Sequence, residues 1–148
     1  IYAIGDVNAR MMLAHAATMQ GLHVVNHILG IPDNIRLDIM PAAIFTNPEA
    51  ACVGKTEDQL KAEAVEIEVR KKMYRTNGRA LAMNEAEGYI KLCVSATDGL
   101  ILSCHAFGAH SADIVQEVSA LMCKNTTLHE LHEMVHIHPT LGEMLQEI

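Results

Sequence analysis

The apolar positions of the chain change period along its length, and each change marks an expected element. Ile1, Tyr2, Ala3 and Ile4 make a continuous apolar run cut off by Gly5 and Asp6. That is the pattern of a buried strand reaching its carboxyl end in an α/β layer. From about Arg10 to Leu29 the spacing turns helical, with Met12, Ala16, Met19, His23 and Ile28 on related faces, and Gly30 with Pro32 closes the helix. A linker-like stretch leads to two short apolar runs between Ala42 and Val53, interrupted by Asn47 and Pro48. Thr56 to Gln59 reads T-x-x-Q, a capping box for a short helix toward Ala64. Alternation follows: Val65, Ile67, Val69 and then Ile90, Leu92, Val94 read as strands, Asp98 and Gly99 as a hairpin turn, and Leu100 to Phe107 as the return strand. Three antiparallel strands are therefore expected. Ala112 to Cys123 is an amphipathic helix, and Leu128 to Val135 a second one capped by Thr127 with Glu130.

These elements amount to an α+β unit with an antiparallel sheet and helices packed on one face, over residues 39–148. Residues 1–38 look like the last strand and helix of a separate α/β domain. A strand at the very start of the chain cannot satisfy its backbone groups without neighbours, so the sequence reads as a fragment of a larger protein.

Composition narrows the function classes. Half of the 148 residues are apolar, yet no run of 18 uncharged apolar residues occurs, so no membrane partner is expected. Eleven basic residues against 18 acidic ones exclude a phosphate-backbone footprint, and Arg70, Lys71 and Lys72 form too short a basic run to change this. The four cysteines, at 52, 93, 104 and 123, show no C-x-x-C spacing. Buried structural thiols in a reducing, cytoplasmic compartment are the expectation.

Chemistry concentrates near the end of the chain. His138 precedes Pro139, which stops the preceding element and suits the first turn of a following helix, and Glu143 lies five positions after the histidine. From there the carboxylate could accept the Nδ1 proton, fix the tautomer and leave Nε2 as a base. The competing local reading makes Thr140 to Glu143 a T-x-x-E capping box that serves only a helix N-terminus. A rival from another class is His132, Glu133, Met134, Val135, His136, which fits H-E-x-x-H, the zinc-hydrolase signature; His129, His138 or Glu143 could supply a third ligand. A non-catalytic dimerisation module is a third possibility.

Three segments together resemble one family. Tyr2 to Val7 followed by Met12, Leu13, Ala14, His15 and Ala16 is similar to the second flavin motif of the pyridine nucleotide-disulfide oxidoreductases. Phe45, Thr46, Asn47, Pro48, Glu49 with Val53 to Glu57 is similar to the start of their interface domain, and His138, Pro139, Thr140 and Glu143 complete the match. The ending from His136 to Leu141 is most similar to the branch that oxidises dihydrolipoamide.

The resemblance implies FAD and NAD as cofactors of the full-length enzyme, with Gly5 and Asp6 at the ribityl chain and Met12 to His15 at the flavin's pyrimidine edge. It implies His138 and Glu143 as the acid/base pair, working across a homodimer on the partner's disulfide. The partner protein it implies is the lipoyl domain of a 2-oxoacid dehydrogenase complex or of the glycine cleavage system. No C-x-x-x-x-C pair and no G-x-G-x-x-G loop occur in these residues. The fragment is therefore expected to be inactive alone and to bind no FAD by itself.

Overall fold

Chain contacts divide the computed structural model, which describes residues 1–148, into two units, Ile1–Met40 and Pro41–Ile148. In the first unit the backbone is extended at Ile4 and then closes into a 3₁₀ turn over Gly5–Asn8. No strand forms over residues 1–4, contrary to the sequence expectation, because the unit holds no second strand to take up its N–H and C=O groups. Helix α1 spans Ala14–Leu29, later than the Arg10 start expected. Ala9 adopts a left-handed conformation and Leu13 is extended, so helical dihedrals cannot propagate earlier. Gly30, at φ +68, ends the helix, its N–H bonding back to Asn26 and His27. Within this unit Gln20 Oε1 accepts from both Gly5 N and Asn8 Nδ2 at 2.8 Å. Gly5 has φ +68, and a Cβ there would stand 3.1 Å from that of Ala17, so the motif glycine is a packing requirement.

The second unit is built on five strands: β1 (Ala42–Ile44), β2 (Ala50–Gly54), β3 (Ile67–Met73), β4 (Tyr89–Ser95) and β5 (Ile101–Phe107). They lie in the order β1-β2-β5-β4-β3, every pair antiparallel. The sheet is antiparallel as expected but has five strands instead of three. The two apolar runs around Asn47 and Pro48 pair with each other, Ala42 opposite Cys52 and Ile44 opposite Ala50. β1 is too short to show a period, which is why sequence pattern left it unassigned.

Alternation decides the core. Ala51, Val53, Ile90, Leu92, Cys104 and Ala106 are buried, and the register sets Val53 and Leu92 on either side of Cys104. Helix α4 (Ser111–Cys123) packs on β5 and β2 and buries Ile114, Val115, Val118 and Met122. Each of these side chains contributes about 1.5–3 kcal/mol when fully removed from water. Cys93 and Cys104 are buried as expected, but Cys123 is exposed at the end of α4 and Cys52 is half-buried.

Short helices complete the unit: α2 (Glu57–Ala62), α3 (Gly78–Ala82) and α5 (Leu128–Glu133). The capping boxes read from sequence are both present, Thr56 with Gln59 and Thr127 with Glu130. Two further motif residues have structural work. Glu49 Oε2 accepts from Ala112 N, 3.2 Å away in the first turn of α4, where a carboxylate complements the helix dipole. Gly54 has φ +79, and a Cβ there would lie 2.3 Å from Leu102 O, so only glycine lets β2 and β5 close. No helix is long and apolar enough to cross a membrane.

Candidate functional site

The site is assembled after α5. The Thr127 box starts this helix, and Leu128 and Leu131 anchor it in the core. Met134 is extended, with ψ 132, so the helix stops at Glu133 rather than running to Val135 as expected. The two histidines of H-E-x-x-H consequently do not share a helical face. His132 Nε2 meets the carbonyl of Ile148 at 3.1 Å, while His136 Nε2 lies 2.9 Å from Glu117 Oε1 on α4. No group of three or more His, Cys, Asp or Glu side chains is placed to hold a metal ion. The zinc-hydrolase reading loses its geometry, because that motif needs an unbroken turn between its imidazoles.

The His136–Glu117 pair ties the segment before the site to α4. His136 is nearly buried, its side chain 9 % exposed, and its Nδ1 lies 3.1 Å from Met134 O. Beyond it the chain turns outward through Ile137, and Thr140 Oγ1 donates to Ile137 O at 2.6 Å. The His138–Pro139 peptide is cis. Residues 142–145 then form a 3₁₀ turn in which Met144 and Leu145 are fully buried, pinning the end of the segment to the core. The structure forms this turn where the sequence reading expected a helix beginning at Pro139.

His138 and Glu143 meet as the sequence suggested. His138 Nδ1 lies 2.8 Å from Glu143 Oε2. The environments of the two side chains differ sharply: the imidazole is 82 % exposed and the carboxylate 12 %. With Glu143 accepting, Nδ1 carries the ring proton and Nε2 presents its lone pair outward, with no hydrogen-bond partner in the chain. The capping reading survives in part, since Glu143 N donates to Thr140 Oγ1 at 3.3 Å. The carboxylate itself is engaged elsewhere: Oε2 by His138 and Oε1 by Asn77 Nδ2 at 3.2 Å. Asn77 escaped the sequence reading; its only local signal is that of an N-cap three residues after Tyr74, and its link to Glu143 spans 66 positions.

A cavity of about 530 Å³ opens beside this segment, lined by Arg79, His110, Asp113, Glu117, Pro139 and Thr140 among others. Met83, Ile114 and Leu141 also line it, so apolar and charged side chains share its wall.

In the first unit, Asp6 is exposed, and Met12 and Leu13 stand immediately before α1, not within it as the sequence reading had it, while Ala14 and His15 form its first turn. The N-cap residue is Leu13, whose apolar side chain makes no capping hydrogen bond.

Known proteins resemble the chain over its whole length. Residues 40–148 match the family profile described as pyridine nucleotide-disulphide oxidoreductase, dimerisation domain. The chain belongs to the pyridine nucleotide-disulphide oxidoreductases. Among the relatives of this oxidoreductase chain are the chloroplastic dihydrolipoyl dehydrogenase 2 of Arabidopsis thaliana, 39 % identical over the whole chain and 27 % of the relative, and a dihydrolipoyl dehydrogenase of Bacillus subtilis, 39 % identical over 99 % of the chain and 31 % of the relative. The chain thus spans about a third of the length of these relatives. Among solved structures, LpdA from Mycobacterium tuberculosis superposes with a TM-score of 0.92 at 28 % identity, over 99 % of the chain and 32 % of LpdA. The HOCl-induced flavoprotein disulfide reductase RclA of Escherichia coli, at 23 % identity and a TM-score of 0.88, shares the fold over all of this chain and 34 % of its own.

Proposed function

We propose that this chain is the C-terminal part of a dihydrolipoyl dehydrogenase, and that its His138 is the base that deprotonates the dithiol substrate. The observation that carries this reading is the 2.8 Å contact between an exposed imidazole and a nearly buried carboxylate. Only a thiolate attacks a disulfide, and a free thiol titrates near ~8.5, so a dithiol at neutral pH needs a proton acceptor. His138 Nε2 takes the proton from one sulfhydryl of dihydrolipoamide. The new thiolate attacks one sulfur of the enzyme disulfide, which breaks and releases its other sulfur as a thiolate. Glu143 stabilises the imidazolium formed, the role of the carboxylate in a nucleophile–base–orienter triad.

The domain assignment follows the same reading: residues 1–38 close the FAD-binding domain and 39–148 form the interface domain of a homodimer. The fit to a flavin rests on two features of the first unit: Gly5 leaves no Cβ at the turn carrying the exposed Asp6, and the N-cap of α1 is Leu13, a residue with no polar side chain to occupy the helix N-terminus. Asp6 would hold the ribityl chain, and the segment Met12, Leu13, Ala14 and His15 would face the pyrimidine edge, where a helix N-terminus favours negative charge. FAD, when bound, would relay the electrons of the reduced disulfide to NAD⁺. The lipoyl domain of a 2-oxoacid dehydrogenase complex or of the glycine cleavage system is the partner that presents the dithiol. The four unpaired thiols suit a reducing compartment such as the cytoplasm.

The test is His138→Gln in the complete polypeptide. Dithiol oxidation is expected to fall by about 10²–10⁴, the usual worth of general-base assistance, while FAD content and NADH-to-dye transfer persist. Unchanged dithiol turnover would remove His138 from the mechanism.

A further inference from the structure

We infer that Asn77 is the positioning residue of the His138–Glu143 pair, acting through its side-chain amide on the Glu143 carboxylate. The inference rests on the reading of that pair as the acid/base couple and adds to it the group that holds it in place. Asn77 is 2 % exposed, and every polar atom of its side chain is engaged. Its Oδ1 accepts from Ala80 N at 2.9 Å, capping α3 and fixing the plane of the amide. That orientation turns Nδ2 toward the end of the chain, where it donates to Thr140 O at 3.1 Å and to Glu143 Oε1 at 3.2 Å.

The consequence for Glu143 is geometric. A carboxylate turns freely about its last bond, and one oxygen on an exposed imidazole would not fix its plane. With Oε1 held by a buried amide, Oε2 is left facing His138 Nδ1 at 2.8 Å. The Thr140 contact adds a second hold, on the backbone between Pro139 and the 3₁₀ turn, so one side chain grips both the loop and its carboxylate. The donor is also neutral. An ammonium or guanidinium in this place would offset the carboxylate's charge, whereas an amide orients it and leaves that charge to stabilise the imidazolium.

The experiment compares Asn77→Ser, Glu143→Gln and the double variant in the complete polypeptide, with His138→Gln alongside. Serine is as good an N-cap as asparagine but cannot reach Glu143, so α3 keeps its cap. The expected result is a fall in kcat for dithiol oxidation on the order of 10- to 100-fold in Asn77→Ser, with KM for the dithiol and dye reduction little changed. The double variant should be no slower than Glu143→Gln alone, since both changes remove one coupled interaction. Ring ¹⁵N correlation spectra should show His138 as the Nδ1–H tautomer in the parent and a tautomer mixture in Asn77→Ser, a readout that loss of stability by itself would not move. A kcat within about twofold of the parent, an unshifted tautomer, or losses that multiply in the double variant would overturn the inference. If Asn77→Ser fails to fold, Asn77→Thr keeps an N-cap hydroxyl, removes the amide donor to Glu143 without adding charge, and carries the same expected kcat loss. Loss of turnover in His138→Gln without loss in the Asn77 variants would defeat the inference alone; retained turnover in His138→Gln would defeat the reading beneath it, and the tautomer shift would still decide what Asn77 does.

Discussion

In the proposed pair, His138 and Glu143 divide their tasks through exposure: a base must reach its substrate, and its carboxylate must not drift. Glu143→Gln, which keeps the shape but removes the charge, should therefore slow dithiol oxidation by less than His138→Gln does, on the order of tenfold to a hundredfold, in a steady-state assay with unchanged dye reduction. Other residues answer to stability alone. At Gly54 a Cβ would meet backbone at 2.3 Å in a left-handed conformation. Gly54→Ala should lower the unfolding free energy by about 2 kcal/mol or more, measured by urea denaturation. His105 in β5 has a buried Nδ1 without a partner, and burial, aided by the Lys91 ammonium, holds its pKa below the ordinary histidine value. The unfolded chain binds a proton below about pH 6.5 that the folded one resists, so stability should decline as pH falls from 6.5 through the lowered folded value. Urea midpoints at pH 7.5 and 5.5 should separate less in His105→Gln than in the parent; equal separations would exclude this histidine as the cause.

At the scale of elements, cooperation between caps and core sets where the segment bearing His138 begins. Thr127→Ala removes a capping box and should cost about 1 kcal/mol in denaturation, loosening α5 before the sheet. Legibility followed the same physics. Capping boxes at Thr56 and Thr127 were readable because they are local, as were the Asp98–Gly99 turn and the alternation of β4 and β5. The first two strands were hidden by their length and the proline between them, and α3, five residues long, has no period to detect. The end of α5 was misplaced by two residues because His136 leaves the helix to meet Glu117 on α4, a partner 19 positions away. The pairing of His138 with Glu143 was visible as a spacing. What lay beyond reach was the contact that orients it, since nothing local ties Asn77 to Glu143.

At the scale of the molecule, the proposed function divides between two units, with the Gly5–Asp6 turn in Ile1–Met40 and the His138–Glu143 pair in Pro41–Ile148. The complete polypeptide should run as a homodimer in light scattering, and a monomeric species with full dithiol turnover would contradict the role given to the second unit. The central claim is that His138 of one subunit serves the disulfide of the other. It is tested most directly by mixed dimers pairing a His138→Gln subunit with one whose redox disulfide cysteines are replaced by serine. Each variant homodimer should be inactive toward dihydrolipoamide, while the mixed dimer regains one competent site and about half of the parent's turnover. A mixed dimer as inactive as its parents would contradict a base that works across the interface.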